Sequence, residues 1–198
     1  MLKPTNNDFP ITEIFRQRWS PRAYSSKPVE ESKLKSIFEA ARWAPSSNNE
    51  QPWRFILGRK GDETWDKIYQ SLVEWNQKWA GNAPVLILNM GKRTYTYKGK
   101  PNPTYLYDTG QAVSMLVNEV VNQGLFGHQM GGFSAEKASE LLNIPSDYHP
   151  ISVTAIGYYG DPDSLPEDMR KSEMEPRKRL RQEEIVFAGQ FGRPARWQ

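Results

Sequence analysis

The chain contains no cysteine and only two histidines, His128 and His149. Disulfides, thiol nucleophiles and thiolate metal sites are excluded together, and two imidazoles are too few for a zinc cluster or a hydrolytic triad of ordinary design. No metal site is expected. No run of residues approaches the roughly 20 consecutive apolar positions that a membrane span needs. The stretch from Met1 to Thr12 also lacks the apolar core of a secretory signal, so a cytoplasmic protein with no membrane contact is expected. Internal repeats, low-complexity tracts and a Gly-x-Gly-x-x-Gly stretch for a dinucleotide pyrophosphate are all missing. Neither sign of charge dominates: 26 Lys and Arg stand against 23 Asp and Glu, which favours anionic ligands weakly and does not demand nucleic acid.

What the chain does have is aromatic mass and alternating apolar patterns. Seven Trp, nine Tyr and eight Phe suit a packed core, an interface or ligand stacking, and 198 residues fit one domain. The spacing of Leu34, Ile37, Phe38 and Ala41 predicts a helix over Glu30 to Trp43, with Pro45 turning the chain out of helical geometry. Strands are expected at Trp53 to Leu57, Pro84 to Asn89 and Ile151 to Tyr158, and an aromatic-rich helix over Asp62 to Ala80. Val113 to Val121 marks a further helix stopped by Gly124, and Ser134 is placed to cap a short one. Between them, Gly91 to Tyr105 reads as an exposed basic and aromatic loop or irregular hairpin with the character of a lid. Residues 1–11 and 161–198 read as arms outside the periodic body.

Three stretches carry chemistry. Arg18-Trp19-Ser20-Pro21-Arg22 offers two guanidinium forks and a hydroxyl within five residues, a pattern suited to bidentate phosphate contacts. Ala44-Pro-Ser-Ser-Asn-Asn-Glu-Gln-Pro-Trp53 is a polar, hydrogen-bonding loop running straight into a strand. Pro176-Arg-Lys-Arg-Leu-Arg181 gathers four cations in six residues. Each has an ordinary alternative in a solvated helix end, a helix-to-strand connection or a charged tail. Together they resemble the nitroreductase family of flavin enzymes, whose loop signature Ala-Pro-Ser-x-x-Asn-x-Gln-Pro-Trp is met at every specified position.

The resemblance spans Arg18 to Arg179. It implies an α+β fold with a central mixed sheet flanked by helices, a homodimer with FMN at each interface, and a C-terminal arm packing on the partner subunit. It places Arg18 at the flavin phosphate, Ser20 at the ribityl chain or phosphate and Arg22 near the ring's N1/O2 region, with Trp19 between them. Pro45, Ser46, Ser47, Asn49 and Gln51 would serve the partner's flavin, and Asn76 would present an amide to the O4/N3 edge. Gln129, Met130, Gly131 and Gly132 would lie beside the ring; many relatives carry a side chain where Gly131 stands, so only a backbone role carries over. Arg177 and Arg179 would close over the phosphate, with Lys178 and Arg181 as alternatives in a neighbouring register. No side chain is assigned a catalytic role, because NADH or NADPH would reduce FMN, and FMN in turn a nitroaromatic, a quinone or a similar small acceptor, in ping-pong fashion. Two rival readings remain at this level: a non-redox flavin-binding or sensing module, and a basic nucleic-acid-binding protein using the 92–100 and 177–181 runs.

Overall fold

The computed structural model describes residues 3, 5–97 and 99–196. Its centre is a four-stranded sheet in the order β1-β2-β4-β3, formed by β1 (Trp53–Arg59), β2 (Val85–Lys92), β3 (Phe126–Met130) and β4 (Tyr148–Gly157). The helix-flanked α+β architecture is as expected. All four strands pair antiparallel, however, where the resemblance implied a mixed sheet.

The central strand β2 explains the two-layer core. Its side chains alternate, so that Leu86, Leu88 and Met90 join a cluster with Trp65, Ile68 and Trp79, whereas Val85 and Ile87 join Leu34, Ile37, Val113 and Leu116. The first face is covered by α3 (Glu63–Ser71), α4 (Glu74–Ala80) and α6 (Ala135–Leu141), the second by α2 (Glu31–Arg42) and α5 (Tyr105–Asn122). A continuous apolar run is what a strand buried on both sides requires. Among the described residues no helix is long and apolar enough to cross a membrane.

Several expectations need correction. The stretch from Asp62 to Ala80 is two helices, because Leu72 bridges to Phe133 and the Val73 N–H donates to the Gly132 carbonyl at 3.1 Å, diverting the backbone. Residues 126–130, read from sequence as the approach to a glycine turn, form the edge strand β3. Of the two forms expected for the segment after β2, its described residues take the hairpin, closed by a Thr94–Pro101 bridge. A short helix α1 (Glu13–Gln17) precedes the basic segment, and the C-terminal arm contains α7 (Glu167–Met174).

Residues 18–24 lie against the β3 edge. Trp19 is buried between Phe126 and Tyr159, with ring centroids 5.9 and 5.5 Å away. His128 on β3 hydrogen-bonds through Nδ1 to the Pro21 carbonyl at 2.9 Å and packs on Trp79 at 4.5 Å. A carbonyl only accepts, so Nδ1 carries the hydrogen. Burial, and secondarily Arg22 and Arg18, hold the ring's pKa down at about 4 against the opposing pull of the Pro21 carbonyl. Below about pH 6.5 the unfolded chain binds a proton here that the folded chain refuses. The stabilisation from neutral His128 is therefore complete above that pH and is lost as pH falls towards about 4.

In urea unfolding of flavin-free protein, wild type should lose roughly 2 to 3 kcal/mol more between pH 7.5 and 4.5 than His128→Gln, which keeps a donor for Pro21 but does not titrate. Parallel pH profiles would remove His128 from the acid sensitivity.

Candidate active site

Two separate constellations stand out. The first is a groove between the basic N-terminal segment and the C-terminal arm, with a volume of about 240 Å³, lined by Arg18, Trp19, Ser20, Arg22, Arg177 and Arg179 together with Lys3 and Glu173. Sequence reasoning predicted all six of the former residues, and the fold brings them together. Arg18 Nη1 donates to Ser20 Oγ at 3.3 Å, while Arg177 donates to the backbone carbonyls of Arg16 and Arg18 and thereby clamps the arm onto the segment. Arg181 pairs with Glu183 at 2.7 Å within the arm and lines an adjoining cavity with Arg18, Arg177 and Arg179, so both registers of the basic run stay close to Arg18.

The electrostatics of this groove are unbalanced. Burial first, then Arg179, pushes the Arg18 pKa down; burial, then Arg18 and Arg179, does the same to Arg177. Among the described residues, Trp19 Nε1, Arg22 Nε and Arg177 Nε are buried donors with no hydrogen-bond partner. Unpaired buried donors beside mutually repelling cations describe a place that an anion with several acceptor oxygens would satisfy. The aromatic ring of Trp19 is itself packed away, so its contribution to a ligand is limited to the indole N–H and the wall it forms.

At the inner end of β3, Gln129 and Met130 lead into Gly131 and Gly132. Neither glycine has a left-handed backbone, so turn geometry is not their reason. A Cβ on Gly132 would sit 2.7 Å from Asn76 Nδ2, and that amide donates to the Gly132 carbonyl at 2.9 Å. Asn76 thus uses one amide hydrogen to hold the turn, and its second hydrogen and Oδ1 are not engaged by that bond. A Cβ on Gly131 would meet nothing within 4 Å. The fold within one chain gives no reason for a glycine there, which leaves an open backbone surface beside β3.

The second constellation is the loop before β1. Asn48, Asn49 and Gln51 all have positive φ, at 53°, 54° and 51°, a strained set for residues with side chains. The strain is held by hydrogen bonds. Ser46 Oγ accepts from the Gln51 N–H at 3.0 Å, and the buried Asp108 carboxylate on α5 accepts from the Ser47 N–H at 3.1 Å and from Thr104 Oγ1 at 3.0 Å. Glu50 accepts from the Thr96 N–H at 2.6 Å, tying the loop to the hairpin after β2. Asn49 remains exposed, with no side-chain hydrogen bond among the described residues, and Pro45 is exposed beside it. Asp108 escaped sequence reasoning because an acid in the first turn of a helix is commonplace.

The two constellations do not meet within one chain. The loop enters β1, one edge of the sheet; the arginine groove lies against β3, the other edge. Three strand spacings separate those edges, roughly 14 Å. The two basic runs belong to different parts of the fold: residues 92–97 and 99–100 follow β2 near the loop, and Arg177 ties the other run to residues 16 and 18.

Comparison with known proteins places this arrangement. The chain is 36% identical to an oxidoreductase containing FMN whose crystal structure superposes with a TM-score of 0.89, covering 94% of this chain and 95% of that one. It is 32% identical over 152 residues to an uncharacterized 15.4 kDa protein of Mycolicibacterium smegmatis, covering 71% of this chain and 99% of that one. An Archaeoglobus fulgidus protein named "Putative NADH dehydrogenase/NAD(P)H nitroreductase" is 26% identical over 148 residues, 73% of this chain and 82% of its own. Residues 15–158 match the nitroreductase family over most of the chain, and the protein belongs to that family.

Proposed function

We propose that the protein is an FMN-dependent oxidoreductase that passes electrons from NADH or NADPH to a small acceptor such as a nitroaromatic or a quinone, in the cytoplasm, as a homodimer with one FMN at each interface. The observation that carries this reading is the groove of Arg18, Arg22, Arg177 and Arg179 with its unpartnered buried donors. A terminal monophosphate supplies the charge and the acceptor oxygens such a groove lacks, which favours FMN over a dinucleotide flavin. The relatives named for FMN and for NAD(P)H support the same choice.

Bound FMN supplies the hydride-accepting ring and hence the redox chemistry. The chain's own residues position and tune it. Arg18 and Arg179 hold the phosphate with Ser20 at its side, and Arg177 keeps the C-terminal arm closed against residues 16–18. Arg22 is the cation available to stabilise negative charge at the ring's pyrimidine edge. The backbone from Gln129 to Gly132, held by Asn76, forms the wall beside the ring, and the missing side chain at Gly131 leaves that wall open to an acceptor. His128, neutral and packed against Trp79, has no part in proton transfer.

A second copy of the chain completes the site in this reading. Pro45, Ser46, Ser47, Asn49 and Gln51 sit at the sheet edge away from their own arginine groove and are placed to serve the partner's flavin. Helix α5 offers the interface: Leu106 and Tyr107 are 47% and 72% exposed, and one turn on stands Gly110, a mid-helix glycine with open space around it. Such a glycine costs about 1 kcal/mol relative to alanine, and close approach of another subunit is a reason to keep it. The chain then acts as one domain with a C-terminal arm whose exposed Ile185 and Phe191 pack on the partner.

Two results follow. Heat release from the purified protein should yield FMN and no FAD, and anaerobic NADH or NADPH should bleach the bound flavin until an acceptor restores the colour. A protein that binds FMN but is not bleached by either nicotinamide is a flavin-binding module and not this enzyme. In addition, an Arg18→Ala chain and an Asn49→Ala chain, each impaired alone, should complement when co-expressed with separate tags. The isolated mixed dimer should recover up to about half the flavin occupancy and bleaching of wild type, since one of its two sites draws both residues from intact positions. No gain over the single variants would mean that the loop serves its own subunit's flavin or none.

A further inference from the structure

Glu173 is the one carboxylate in the lining of the arginine groove that is out of water, at 1% exposure. It sits on α7 in the C-terminal arm, 151 and 150 residues from its two partners in sequence, and accepts from the Arg22 N–H at 3.0 Å on both oxygens and from the Ala23 N–H at 3.2 Å. Among the described residues it forms no ion pair with a lysine or arginine, although Lys3, Arg18, Arg22, Arg177 and Arg179 all line the same groove. A carboxylate taken out of water without a cationic partner is unfavourable unless it is fully hydrogen-bonded. Packing alone gives no reason for it, since an uncharged side chain of similar size would fill the same space.

What Glu173 touches is the backbone that carries Arg22. Both N–H groups it receives flank the Arg22 side chain, and the strand-like segment they belong to is otherwise secured by the Gly160 N–H to the Ala23 carbonyl at 3.0 Å and by the Tyr24–Tyr159 bridge. Its field reaches the surrounding groups as well: burial first and Glu173 second push the Tyr159 hydroxyl upward. A negative charge fixed beneath an anion site weakens the bound anion and disfavours further negative charge on it.

We infer that Glu173 is a positioning residue with two opposed effects: its oxygens aim Arg22 by fixing the backbone of residues 22–23, while its charge tempers the arginine field and so lowers both the affinity for the anionic ligand and the reduction potential of the flavin. This rests on the reading of the groove as the FMN phosphate site. It also makes docking of the C-terminal arm a condition for a correctly aimed Arg22, because the carboxylate comes from that arm.

Two substitutions separate the effects. Glu173→Gln keeps an oxygen that accepts from Arg22 and Ala23 but removes the charge; Glu173→Ala removes both. Flavin-free protein is titrated with FMN and, separately, with inorganic phosphate, and the midpoint potential of each FMN-loaded protein is measured. E173Q should bind both ligands more tightly, on the order of tenfold for FMN. Its potential should rise, by ~30 mV for each tenfold gain in preference for the reduced over the oxidised flavin. E173A should bind FMN more weakly than E173Q, on the order of tenfold or more, because the backbone it released no longer aims Arg22. Circular dichroism checks that both variants fold, and if E173A does not, E173Q alone decides. The inference is overturned if E173Q matches wild type in both affinity and potential, or if E173Q weakens binding as far as E173A does. Failure of wild type to bind FMN strikes the functional assignment instead, and the phosphate titration then still tests Glu173.

Discussion

Like charges gathered in a partly dry groove repel one another, and much of this fold's periphery is organised around that cost. Burial and then Arg179 depress the pKa of Arg18, and burial, then Arg18 and Arg179, that of Arg177, yet the chain draws these arginines together by folding the C-terminal arm back onto residues 16–23. The arm is held by backbone carbonyls that accept from Arg177 and by a buried carboxylate that accepts from backbone N–H groups. Contacts of that kind neutralise the groove only in part, through the single charge of Glu173. Among the described residues they leave several buried donors of the groove's lining unsatisfied, a surplus of donors that suits an anion.

The loop before β1 shows the same logic in backbone form. Three residues with positive φ persist only because Ser46, Asp108 and the 93–102 hairpin hold them from different sides. Strain of this sort collects where a chain presents itself to a ligand or a partner. Groove and loop occupy opposite edges of one sheet, and under the proposed homodimer a two-fold related copy is the simplest way to bring them together.

The parts of this account that were legible in the sequence are those written as local patterns. Apolar periodicity located α2, β1, β2 and α5 because each buries a regular face, and the loop and the arginine segments were visible as strings of unusual residue types. The edge strand β3 was not, because Phe126-Gly-His-Gln-Met130 has little apolar alternation and owes its conformation to pairing with β4. Nor was the break between α3 and α4, which is imposed by contacts to Gly132 and Phe133 some 60 residues later. Asp108 and Glu173 were invisible for another reason. Each is one acid among 23, and only the folded chain reveals that both are buried, Glu173 accepting from the Arg22 and Ala23 N–H groups and Asp108 from the Ser47 N–H and the Thr104 hydroxyl.

The central claim is that the arginine groove is built for the terminal phosphate of a flavin. Calorimetric titration of flavin-free protein with FMN and with riboflavin, which share a ring and differ by that phosphate, tests it most directly. The account predicts that FMN binds at least about a hundredfold more tightly, as two charge-assisted hydrogen bonds of about 1.5 kcal/mol or more each require, and that the gap narrows as salt is raised. Equal affinities, or a difference indifferent to salt, would contradict it.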